Sequence, residues 1–225
     1  MNSLYFIPKD DPFLEQTFIN FGTKLFSVRN MNAKEVALIG LMLALALMLQ
    51  VSPFKLKTPW GMDIDFVAVP IMIIFFLYGF KETFLGLLLL FLGLSLVAQT
   101  SWLGASMKFL ATFSVLIGLE IARKLTRIEL RNLDSKRTTF FIALTLIIAI
   151  SIRAPLMMAM NYYYAIPIWF GIPREQVIPV VEEFTHMPFW LAITLPNAIQ
   201  TFVDVLGAFL VALPVLRALP HVVKE

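Results

Sequence analysis

Cysteine is absent from the 225-residue chain. Disulfides, thiol nucleophiles and cysteine-ligated zinc are therefore excluded. Charge is scarce: 15% of residues are Asp, Glu, Lys or Arg, against about a quarter in an ordinary soluble domain. The two histidines, His186 and His221, lie far apart and outside the apolar runs, which argues against a metal site. No G-x-x-x-x-G-K-[ST] occurs, so the chain carries no phosphate loop and no ATPase engine of its own. Gly/Pro repeats and low-complexity tracts are also missing. What remains is hydrophobic, with 59% apolar residues and a mean hydropathy of +0.82. That balance implies an all-α integral membrane protein.

A spanning helix needs about 20 mostly apolar residues. Six stretches qualify: 34–52, 66–80, 83–99, 103–122, 138–164 and 188–216. The expected fold is a six-helix membrane bundle over 33–217, preceded by a cytoplasmic N-terminal arm (1–32) and followed by a cytoplasmic tail (218–225). The start, MNSLYFIPKDDPFLEQTFINFGTK, does not read as a signal peptide, because acidic residues come early and no cleavage site follows. Residues 13–26 read either as a surface-lying amphipathic helix or as a loose tail. The second and third spans are separated by Lys81 and Glu82, implying a tight hairpin there. The second is short and is expected to begin inside the membrane. Pro155 and Pro196 fall within the fifth and sixth spans, where they break or kink a helix and free carbonyls.

Basic residues set the orientation. With the N-terminus inside, the inner segments 1–34, 80–82, 123–137 and 217–225 hold 4, 1, 6 and 2 of them, while the outer loops hold Lys55, Lys57 and Arg174. This predicts N-in and C-in. The outer loops are acidic and aromatic instead, and one of them, 170–188, is long enough to act as a lid or to lack order.

Three ionisable side chains, Lys108, Arg153 and Asp204, fall within spans, where each costs roughly 2.5–3.5 kcal/mol to insert at a helix centre. Helical spacing places them on polar stripes. Gly104, Lys108 and Thr112 share one face of the fourth span. Arg153, Met157, Asn161 and Tyr164 share one face of the fifth. Asn197, Gln200, Thr201 and Asp204 share one face of the sixth. Two readings stand. In one, the stripes converge on a polar pocket open to the outside, lined also by Tyr162 to Tyr164 and Trp169. In the other, the polar groups glue helices together and Lys108 pairs with Asp204 without any ligand. A further stripe of small residues, Ala33, Ala37, Gly40 and Ala44, would let another helix approach closely, within the protein or from a partner. The segment EEFTH (182–186) has a faint likeness to the paired glutamates of intramembrane proteases, but it lies in a loop without partner histidines inside the bilayer.

Several elements in order resemble a known family: ALIGLMLALALMLQ (37–50), MDIDFVAVP (62–70), YGFKETFLG (78–86), the basic loop, MNYYYAIP (160–167) and LPNAIQ (195–200). Together they resemble the S components of energy-coupling-factor (ECF) vitamin transporters, most of all the riboflavin-specific type. The resemblance covers about residues 33–217. It implies a substrate-binding membrane subunit, not an enzyme, that captures riboflavin from outside as substrate and carries no cofactor. Its implied partners are a transmembrane coupling protein and two ATP-hydrolysing subunits, with no nucleic acid. The coupling face would be Ala33, Ala37, Gly40 and Ala44. Asn161 matches the flavin-contacting asparagine of the N-Y-Y element, and Asn197 the asparagine at the start of the last helix. Two positions depart from the pattern: Gln200 stands where riboflavin binders often carry lysine, and Lys108 where the family often has asparagine.

Chemistry points the same way, since amides read an imide edge, Tyr and Trp faces stack on rings, and Met157, Met158 and Met160 can mould to a methylated end. The candidate binding residues are thus Lys108, Met157, Asn161, Tyr164, Asn197, Gln200 and Thr201, with Arg153 deeper and turned to carbonyls or to Asp204 rather than to cargo. The two departures keep open a different, anionic vitamin or precursor. A membrane enzyme or scaffold without transported cargo is the reading from another class.

Overall fold

The computed structural model describes residues 31–53, 55–57, 62–97, 101–128 and 135–218. The expected arm, including the amphipathic stretch 13–26, and the tail beyond Ala218 lie outside the described residues, apart from the end of the arm at 31 and 32. The chain falls into two compact units, Met1–Ala37 and Leu38–Glu225. In the first, Asn32 Oδ1 accepts the backbone N–H of Glu35 at 3.0 Å, an N-cap that satisfies one of the unpaired donors of the opening helical turn. That helix, α1, runs Ala33–Val51.

The second unit continues α1 and adds a two-stranded antiparallel ribbon, β1 (Leu56–Lys57) and β2 (Asp63–Ile64). Then follow α2 (Ala68–Tyr78), α3 (Phe80–Val97), α4 (Ser101–Thr126) and α5 (Ser135–Met160). A π turn (Asn161–Ala165) leads into α6 (Ile166–Phe170), and α7 (Val177–Thr185) and α8 (Phe189–Ala218) complete the chain. Neighbours in space form a closed circuit, in which α2 packs on α3, α3 on α4, α4 on α5, α5 on α8, and α8 back on α2.

Among the described residues, five helical stretches are long and apolar enough to cross a membrane. The second expected span, 66–80, is instead the 11-residue α2, about 16 Å at 1.5 Å per residue and so about half the hydrocarbon core. Every residue from Ala68 to Leu77 is buried. A helix apolar all round belongs inside a core, and Asp65 and Val67 just ahead of it are buried as well. The hairpin after α2 also differs from the expected one. The chain turns at Gly79, whose φ of 95° favours glycine, while Lys81 and Glu82 lie in the first turn of α3.

Close approaches set the helix spacing. A methyl group at Gly118 of α4 would meet Ala149 Cβ of α5 at 2.8 Å. Gly86 and Gly93, one heptad apart on α3, leave a groove that accepts Ile39 and Leu47 of α1. Phe76, Phe141 and Phe209 join α2, α5 and α8 edge to face, with centroids 4.7 and 5.6 Å apart. The loop at 170–188 is largely helical. Its α7 buries Val177 and Val181 in a cluster with Met107, Met157, Phe189 and Ile193, and the Glu182 carboxylate accepts the Phe189 N–H at 2.9 Å, capping α8.

Candidate functional site

The three polar stripes meet at one cavity. Lys108 with Gly104 and Thr112 from α4, Arg153 and Met157 from α5, and Asn197, Gln200 and Asp204 from α8 all line it, as does Asn161 of the π turn. The ribbon segment adds Met62, Asp63 and Asp65, α1 adds Gln50, and α6 adds Trp169. The cavity volume is about 100 Å³.

Two ion pairs organise the walls. Arg153 Nη1 donates to Asp204 Oδ2 at 3.0 Å, and Nε donates to Asn197 Oδ1 at 3.0 Å. Both partners of this ion pair are almost fully buried, at 4% and 1% exposure. Lys108 Nζ pairs with Asp65 Oδ2 and donates to Gln50 Oε1. Gln200 ties the two pairs together. Its Nε2 donates to Asp204 Oδ1 at 2.6 Å and to the Asp65 carbonyl at 2.7 Å, while its Oε1 accepts the Asp65 N–H at 2.8 Å. Asp65 Oδ1 in turn accepts the Val67 N–H at 2.9 Å, just ahead of α2. The ribbon segment is thus fastened to α8 through backbone and side chain together. A further pair, Lys55 with Asp63 at 2.9 Å, stiffens the ribbon itself. Each cation at the cavity faces its own carboxylate, so the lining is polar but balanced in charge. In low dielectric such compensation is what makes buried charge tolerable.

The Lys108–Asp204 pair of the alternative, ligand-free reading does not form. Asp65 arrives from the ribbon to take Lys108, and Arg153 on the neighbouring helix takes Asp204. Arg153 turns to Asp204, as expected, and also lines the cavity. Asn161 Nδ2 donates to the Met157 carbonyl at 2.8 Å, and its Oδ1 has no donor among the described residues. Asn197 is more fully engaged, since its Nδ2 donates to the Ile193 carbonyl at 2.8 Å while its oxygen holds Arg153.

Tyr164 and Thr201 fall outside the cavity lining. Tyr164 lies in a π turn, where each residue advances through a smaller angle than in an α-helix. It swings round to pack on Trp102, with centroids 6.0 Å apart, and to sit near the Ser106 hydroxyl. Thr201 turns its hydroxyl back to the Asn197 carbonyl at 2.8 Å, the local bond that threonine commonly makes inside apolar helices. Of the aromatic residues expected around the pocket, Trp169 lines it; Tyr162 packs on Phe189, and Tyr163 is exposed beneath the Arg174 guanidinium.

Sequence reasoning did not count Asp65 or Gln50 among the candidate binding residues, and it named Arg153 and Asp204 only as pairing partners; all four line the cavity. Asp63 and Asp65 alternate in an extended segment, which puts them on one side, yet that pattern names no partner. Gln50 stands alone in an apolar run and belongs to no stripe.

No family model and no curated protein matches the chain. Among solved structures, the S component of a bacterial ECF transporter matches with a TM-score of 0.61 at 20% identity, over 83% of this chain and 97% of that one. The chain therefore has the fold of an ECF S component, which agrees with the family that its sequence motifs resemble.

Proposed function

We propose that the protein is the substrate-binding subunit of an ECF-type transporter, that its cargo is riboflavin, and that ATP is hydrolysed by partner subunits. The observation that carries this reading is the single cavity at which Asn161, Asn197, Gln200 and Trp169 meet, inside a bundle with the S-component fold. Asn161 Oδ1, which meets no donor among the described residues, can accept an imide N–H. Met62, Met107 and Met157 give the cavity a soft apolar wall, and Trp169 offers a ring face. The charge balance supports a neutral cargo over an anionic one. Both cations at the cavity are already met by Asp204 and Asp65, and an added anion would lie against those carboxylates.

The coupling partner docks on the stripe Ala33, Ala37, Gly40 and Ala44 in this reading. Gly40 and Ala44 are exposed, and a methyl group at Gly40 would meet nothing within 4 Å, so a facing helix has room to come close. The test is to express the chain with coupling and ATPase subunits, purify it, and identify the copurifying small molecule by mass spectrometry. Riboflavin should be present and the ATPase subunits should follow. Gly40→Leu should keep the flavin and lose the ATPase subunits. A different bound molecule would remove riboflavin, and saturable binding of nothing at all would favour a scaffold.

A further inference from the structure

We propose that Arg153 is a ligand-contacting, specificity-determining residue that holds two neighbouring acceptor atoms on one edge of a neutral heteroaromatic ring. The assignment rests on the flavin reading above; in riboflavin the two atoms are a ring nitrogen and the carbonyl oxygen beside it.

A guanidinium presents five N–H donors and is always charged. Two of those of Arg153 are engaged, Nε by Asn197 and Nη1 by Asp204. The other three, one on Nη1 and two on Nη2, meet no acceptor among the described residues. Buried donors without partners are costly, and Arg153 is 4% exposed. Among the described residues the sealed, unpartnered polar side-chain atoms are Glu35 Oε1 and Thr145 Oγ1. Nη2 is not one of them, so it opens onto the cavity that Arg153 lines.

The grip from behind is rigid. Asn197 and Asp204 stand seven residues apart on one face of α8, and together they fix the plane of the guanidinium. The free hydrogens are then held ready for a two-point contact of the kind at which arginine excels. Because Asp204 already balances the positive charge, the matching ligand atoms are neutral acceptors rather than a carboxylate or phosphate. Arg153 supplies donors and Asn161 Oδ1 an acceptor, so the cavity offers both kinds of group to a flat ring that carries both.

The experiment titrates the purified full chain by calorimetry with riboflavin, 1-deazariboflavin and 5-deazariboflavin. Each analogue lacks one ring nitrogen that sits beside a carbonyl. Wild-type protein should bind one of the two analogues roughly 10- to 100-fold more weakly than riboflavin, the usual range for a lost hydrogen bond to a charged group. Arg153→Lys keeps the charge opposite Asp204 but not the fork; it should weaken riboflavin by a similar factor and bind that analogue as well as riboflavin. Equal wild-type affinity for all three flavins overturns the assignment, and this holds even if Arg153→Lys does not fold. A variant that loses all three alike overturns it too, because that pattern marks a structural role. Wild-type protein that binds none of the three refutes the flavin reading and takes this assignment with it, an outcome plainly distinct from binding without discrimination.

Discussion

Arg153 and Asp204 are 51 residues apart in the chain and 3.0 Å apart in space. Removing one partner leaves the other charged and buried, which costs about 3–5 kcal/mol, whereas replacing both with apolar groups is often close to neutral. Asp204→Ala should therefore lower the unfolding midpoint in detergent far more than the double change Asp204→Leu with Arg153→Met. Equal losses would mean that the pair contributes little beyond its packing. The double variant should bind flavin roughly 10- to 100-fold more weakly, because the donors of Arg153 are gone. Gln200 sits at the centre of the same network, bonded to both ends of Asp65 and to Asp204. Its amide does here what a lysine could not, since it donates and accepts at once. That gives a physical reason for glutamine at a position where riboflavin binders of the resembling family often carry lysine.

At the scale of elements, glycine placement and helix register decide the geometry. Gly118 lets α4 and α5 approach until its own α-carbon stands where a side chain would strike Ala149. Gly118→Ala should cost about 1–3 kcal/mol through overpacking. Gly40→Ala, with open space around it, should be neutral or slightly stabilising, since alanine is the better helix former by roughly 1 kcal/mol. Thermal unfolding of the two variants side by side checks this, and a larger loss at Gly40 would contradict the packing described. The π turn at Asn161–Ala165 is the other deciding element. Its Ile166 N–H reaches back to the Asn161 carbonyl, and Pro167, which has no N–H, follows at once. The wider turn keeps Asn161 at the cavity and carries Tyr164 away from it. Such turns occur often at functional sites.

Across the whole molecule, the basic bias of the sequence predicts an orientation with segment 123–137 inside and segment 170–188 outside. The absence of cysteine makes the assignment simple to test, because single-cysteine reporters have no background. Glu183→Cys should react with a membrane-impermeant maleimide on intact cells, and Lys136→Cys only after permeabilisation. Labelling in the opposite pattern would invert the protein and turn the cavity inward. Both reporter positions are exposed, so reactivity reads sidedness rather than burial.

Composition and periodicity were enough to read a helical membrane protein, the three polar stripes and the small-residue stripe, because apolar length and helical spacing are local properties of a sequence. Spacing put Asn161, Asn197, Gln200, Lys108 and Met157 on the stripes, and the resemblance to the family singled out Asn161 and Asn197 for binding; all five line the cavity. The same rule misplaced Tyr164, where the helix leaves α geometry, and it counted α2 as a span, because an apolar run of eleven does not reveal whether protein or lipid surrounds it. Only tertiary structure decided which carboxylate meets which cation. Asp65 reaches Lys108 from a ribbon with no helical period, and Arg153 takes Asp204 because α5 lies against α8. Pairing depends on distances between elements, and those are determined by packing, which no single stretch of sequence encodes.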